Sequence, residues 1–170
     1  SKVKAEKRTQ KEKTDSFGGW VERYFEFKSD PKSGDEMLAD STLELRKSIY
    51  RRILEPQLSK YRLQEIRPLM LAEIFRKAKE ERGPGPAVHA RELVLLVYRY
   101  AIGQGVDVTN PVDSIQRKTI ATFKARERNL TRHEIKEFFE ALQETATAPT
   151  LRLAVKFMLL TGVRKSDFIG

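Results

Sequence analysis

The apolar residues of this chain fall into short windows with three- and four-residue spacing. Phe17, Trp20, Val21, Tyr24 and Phe25 recur in this way, and Ser16 stands where a hydroxyl caps a first turn. The pattern predicts a first amphipathic helix. The proline and glycine of SDPKSGDEMLAD break it, and Ser41 with Glu44 three residues on has the form of a capping box opening a second helix. Leu45, Ile49 and Ile53 are expected to form its apolar stripe, with Lys47 and Arg51 opposite at about 100° per residue. Pro56 is expected to end this helix and Pro68 to open a third, carrying Leu71, Ile74, Phe75 and Ala78. The run GPGP at 83–86 then reads as a stop. A fourth helix over 87–102 is apolar nearly all round, the mark of a helix enclosed by neighbours, and ends at Gly103 or Gly105. No segment within 17–105 alternates with period two between turn signals, so no sheet is predicted there.

The next segment, NPVDSIQRKTIATFKARERN, is basic and only weakly periodic, and reads as a linker over 110–129. At LTRHEIKEFFEAL a new helix starts decisively: Thr131 and Glu134 form a capping box, and Leu130 is placed to staple against Ile135. A last helix over about 150–161 is oily on most sides and stops at Gly162. Two such helices need more apolar partners than each other, so 130–170 is expected to be the opening of a second domain. The expected organisation is a basic lead-in at 1–15, a four-helix domain at 16–109, the linker at 110–129, and that second domain.

Composition narrows the function classes. With 39% apolar and 34% charged residues the chain has the make-up of a folded domain. No apolar run approaches the roughly 20 residues of a membrane helix, and no signal-type stretch follows the basic N-terminus, so no membrane partner and a cytoplasmic location are expected. The absence of cysteine excludes disulfides, a thiolate nucleophile and cysteine-ligated zinc. His89 and His133 are too far apart in sequence to suggest a ligand pair, and the glycine-rich 83–86 lacks the lysine and hydroxyl of a phosphate loop. No metal and no cofactor are expected. The net charge of +9 is uneven: residues 43–82 hold eleven basic and six acidic side chains, whereas 15–42 hold three and seven. A polyanion such as double-stranded DNA suits that excess, because each cation placed on a phosphate releases condensed counterions.

The order of motifs adds a resemblance. The helical region 16–105 closed by Asn110 and Pro111, the LT start at Leu130, and TGVRKSDFIG after an apolar helix together resemble the tyrosine recombinases, the phage-type integrases. The likeness covers nearly the whole chain. It implies an all-α fold: a compact four-helix, SAM-like core-binding domain, a linker, and the first two helices of a truncated catalytic domain. It also implies that Arg164 matches the first catalytic arginine of the family, which grips the scissile phosphate. A planar guanidinium suits that task because it binds two oxygens at once and stays charged. The family usually has glutamate where Asp167 stands, which shortens the reach of its support. Its remaining groups, including the tyrosine that forms a phosphotyrosine link to DNA, have no match here, so these 170 residues are expected to be inert although the parent protein is an enzyme. The implied parent is bacterial or phage-encoded, inserts or excises a mobile element, and works with other protomers on DNA.

The candidate DNA contacts are Lys47 and Arg51 on the second helix, Arg91 early on the fourth, and Lys118, Lys124, Arg126 and Arg128 in the linker. Most are expected to meet phosphates, which position the protein, and few to read bases. For Arg164 the plain alternative is a helix-end arginine that satisfies carbonyls. Tyr24, Tyr50, Tyr61, Tyr98 and Tyr100 are better explained by packing than by chemistry. Two other functions stay open at this point: a helical DNA-binding regulator with no enzymatic parent, and a helical protein-interaction module whose charge only keeps it soluble.

Overall fold

The computed structural model describes residues 15–123, 127–164 and 167. Helices dominate, and no strand occurs among the described residues beyond one isolated bridge between Ser16 and Arg62. The chain divides into two compact units, the first ending at Phe123 and the second beginning at Lys124.

In the first unit α1 (Phe17–Ser29) starts where the hydroxyl of Ser16 accepts the Gly19 N–H at 3.2 Å, as its sequence predicts. A 3-10 turn (Pro31–Glu36) leads to α2 (Asp40–Ile49), whose N-cap is Ala39 and not the expected Ser41. Pro56 does not end this helix. The chain passes through a π-turn (Tyr50–Leu54), with Glu55 N–H donating to Tyr50 O, into α3 (Glu55–Leu58). Pro56 lacks an N–H, and the π-turn lets the helix continue past it by shifting register by one residue. That shift also corrects the predicted stripe. Leu43, Ile49, Ile53, Leu54 and Leu58 are buried, Leu45 is 46% exposed, and Lys47, one turn after Leu43, is half-buried at the flank of the apolar face.

A short 3-10 turn (Leu63–Glu65) precedes α4 (Pro68–Arg82), which buries the expected Leu71, Ile74, Phe75 and Ala78. Only Gly83, at φ +92°, separates it from α5 (Pro84–Gly103). The GPGP run therefore starts a helix within itself: prolines are tolerated in a first turn, whose N–H groups have no helical acceptor. α5 is the enclosed helix its composition implies, burying Ala87, Val88, Ala90, Leu93, Val94, Val97, Tyr98 and Ala101. It ends in a Schellman arrangement, with Gly105 N–H on Ile102 O at 2.9 Å and Val106 N–H on Ala101 O at 3.1 Å. The positive φ of Gly105 makes this turn possible.

The segment read as a linker is partly packed structure. Asn110 is buried; its amide donates to Leu95 O at 3.3 Å and its carbonyl oxygen accepts Val112 N–H at 3.1 Å, which sets a 3-10 turn (Pro111–Ser114) against α5. A short α6 (Arg117–Ile120) buries Ile120, and Ala121 is buried after it.

In the second unit α7 (Arg132–Glu144) opens on the predicted capping box: Thr131 Oγ1 accepts Glu134 N–H at 3.2 Å and Glu134 Oε2 accepts Thr131 N–H at 2.8 Å. Leu130, the expected staple, is exposed. α8 (Pro149–Thr161) ends at Gly162, at φ +68°, whose N–H reaches Met158 O at 2.9 Å. Neither helix buries a residue, and Leu151, Leu153, Phe157 and Leu160 stand exposed, Leu160 at 83%.

Candidate nucleic-acid interface

Helix geometry makes Lys47 and Arg51 near neighbours, because residues four apart lie on one face. Lys47 pairs with Glu44 at 3.0 Å, while Arg51 is exposed and has no ion pair among the described residues. The π-turn adds Arg52 beside it, also exposed, and beyond Leu58 the chain presents Lys60 and Arg67 in the same state. Sequence reasoning missed these three. Their signal was the basic density of 43–82, which had been attributed to one helix face.

The cations of α4 behave differently. Arg76 bonds Glu73 and Glu80 at 2.5 and 2.7 Å, and Lys77 lies 3.8 Å from Glu81, so the charge there is balanced by carboxylates within the helix. The uncompensated positive charge of the first unit is thus concentrated in the α2–α3 segment and the turn that follows. A free guanidinium or ammonium has a full set of donors for phosphate oxygens, whereas one already ion-paired must exchange a partner.

Arg91 is half-buried, and its guanidinium donates to Ile115 O at 2.6 Å and Val112 O at 3.5 Å. It straps the 3-10 turn and the start of α6 to α5. Lys118 is exposed on α6, and Arg117 lies over the Phe123 ring at 5.9 Å. Lys124 and Arg126 lie outside the described residues.

In the second unit Arg128 bonds Glu134 at 2.9 Å although its side chain is 82% exposed. The Glu134 carboxyl is held below its usual range, first by the Thr131 backbone N–H and then by Arg128. Arg164 is exposed just after the Gly162 stop, and its guanidinium has no partner among the described residues. The carbonyls at the end of α8 are served by others: Met158 O by Gly162 N–H, and Phe157 O by the Thr161 hydroxyl at 2.7 Å. The capping explanation of Arg164 therefore finds no bond here. His89 and His133 are exposed beside Glu92 and Glu137, and no cluster of metal-ligating side chains occurs among the described residues. No helix among them is long and apolar enough to cross a membrane.

No protein-family model and no curated protein matches the sequence. The fold does have solved counterparts. A lambda integrase tetramer bound to a Holliday junction superposes with a TM-score of 0.72 at 22% identity, over 92% of this chain and 44% of that one. A lambda integrase dimer bound to a COC' core site gives 0.71 at 22% identity, over 96% and 43%. The chain spans less than half the length of these structures, and shares with them the all-helical fold expected from its sequence.

Proposed function

We propose that this chain is the DNA-binding segment of a site-specific tyrosine recombinase, comprising the core-binding domain and the start of the catalytic domain. The observation that carries the reading is the agreement of two independent likenesses. The ordered motifs point to the integrases, and the fold over nearly the whole chain is shared with integrase structures solved on DNA.

On this reading the α2–α3 segment lies along the duplex backbone. Arg51, Arg52, Lys60 and Lys47 bind phosphates, joined by Lys118, and by Lys124, Arg126 and Arg128 between the units. Arg91 acts beneath them by holding the 111–121 segment to α5. Arg164 is the phosphate-gripping arginine of the reaction, stabilising charge on the non-bridging oxygens while a tyrosine nucleophile forms and later releases a phosphotyrosine link. The parent then inserts or excises a phage or other mobile element, acting with further protomers on DNA. The 170 residues alone bind DNA without cutting it. Tyr24 and Tyr98 are buried, Tyr50 and Tyr100 half-buried, and the exposed Tyr61 lies in the unit that lacks Arg164.

The test is a titration of duplex DNA at several salt concentrations, beside Arg51→Ala/Arg52→Ala. We expect affinity to fall steeply with salt and the double variant to flatten the log–log slope by up to about 2, at roughly 0.9 per phosphate contact. Salt-independent or absent binding would reject the reading.

A further inference from the structure

We infer that the first unit carries a docking groove for an extended polypeptide, formed where two irregular segments face each other without pairing. The groove, of about 450 Å³, is lined by Gln64, Ile66, Arg67, Asp107, Val108 and Thr109 among others. One wall is the approach to α4, where Ile66 (φ −78°, ψ 116°) and Arg67 (φ −100°, ψ 150°) have extended backbone. The other wall follows the Schellman turn. There Val106 and Val108 are half-buried against the core while Asp107 and Thr109 are exposed, the period-two alternation of a strand.

Neither wall belongs to a sheet. The main-chain N–H groups of Arg67, Asp107, Val108 and Thr109 make no hydrogen bond to any described residue, and the carbonyls of Asp107, Val108 and Thr109 accept none. Main-chain groups of a folded domain are usually satisfied within secondary structure. An extended run that keeps its donors and acceptors toward solvent beside a cleft is a template for strand addition. The side chains name the chemistry of the occupant. Arg67 on one wall takes a carboxylate and Asp107 on the other a lysine or arginine, so the partner is a segment of another protein that alternates small apolar side chains with charges of both signs. Asp107 also weighs against a nucleic-acid strand in the groove, since a carboxylate on the wall repels phosphate.

A pool of acetylated, amidated heptapeptides in which valine alternates with lysine, glutamate or threonine is the probe, added to the full chain and read by amide NMR shifts. We expect Arg67 and the 107–109 amides to move at millimolar peptide or below. Because successive N–H groups of an extended chain point to opposite edges, one of Val108→Pro and Thr109→Pro should weaken binding at least tenfold while the other retains it. Thr109→Ala should bind as wild type, and thermal melting should report that each variant is folded. Shifts absent from these amides, or binding that survives both prolines, overturns the inference. A salt-sensitive response of the same amides to duplex DNA, with none to peptide, would assign the groove to nucleic acid and overturn it as well. DNA affinity unchanged by either proline keeps this outcome separate from the recombinase reading.

Discussion

Tyr50 sits at the start of the π-turn, half-buried between α1 and α2, with rings of Phe17 and Phe25 at 6.5 and 6.3 Å. Burial pushes its phenol up to about 12, with Glu55 and Glu22 adding to the effect. An unfolded tyrosine loses its proton near pH 10, so between about 10 and 12 the unfolded state binds fewer protons than the native one and stability falls as pH rises. Below pH 10 the contribution is intact. Denaturation curves taken from pH 9 to 12 should show this decline, and Tyr50→Phe should make it shallower. Tyr98 is buried throughout, and its hydroxyl donates to Leu63 O at 2.8 Å. Tyr98→Phe leaves that carbonyl without its donor and should cost about 1–3 kcal/mol by chemical denaturation. Gly18 is constrained by space: a Cβ there would stand 3.0 Å from the Tyr50 hydroxyl and 3.1 Å from Ser59 O. Gly18→Ala is expected to lose about 1–3 kcal/mol, because a backbone carbonyl cannot turn aside.

At the scale of elements, Arg91 decides whether 111–121 moves with α5. Arg91→Met keeps the apolar stem and removes the bonds to Ile115 O and Val112 O. Hydrogen exchange should then quicken in the 112–121 amides while those in the middle of α5 keep their protection. The helix starts with hydroxyl caps were legible in the sequence, at Ser16 and Thr131, as was the burial of one face of α4 and nearly all of α5. Their signals are local and need no knowledge of neighbours. The passage through Pro56 was not legible, since a proline normally breaks the i to i−4 ladder and only the π-turn gives it room. One misplaced residue of register then put Leu45 on the wrong face and hid Arg52 from the candidate site. Arg91 was misread for a related reason: from spacing alone a cation beside a polar segment looks available, and only the tertiary structure shows carbonyls at its donors.

At the scale of the whole chain the two units differ in kind. The first encloses an apolar core to which α1 through α6 contribute, and the second holds two helices with no buried residue. Side chains such as Leu153 and Leu160, 68% and 83% exposed, are expected to bind an environment-sensitive apolar dye. Leu153→Lys with Leu160→Lys should lower that signal and leave the melting of the first unit unchanged.

The junction of α4 and α5 governs how such a chain acquires its shape. These helices make the most extensive contact between elements described here, and a single glycine joins them. Closing so short a loop costs little entropy, so the pair can form before contacts distant in sequence repay theirs. The helical hairpin 68–103 is therefore the expected folding nucleus, with α1 and the π-turned helix condensing on it afterwards. Substitutions such as Ile74→Val and Val94→Ala should slow refolding in stopped-flow traces, whereas Val21→Ala in α1 should chiefly hasten unfolding. A backbone angle open to few residues other than glycine would then set the order in which the DNA-binding unit assembles.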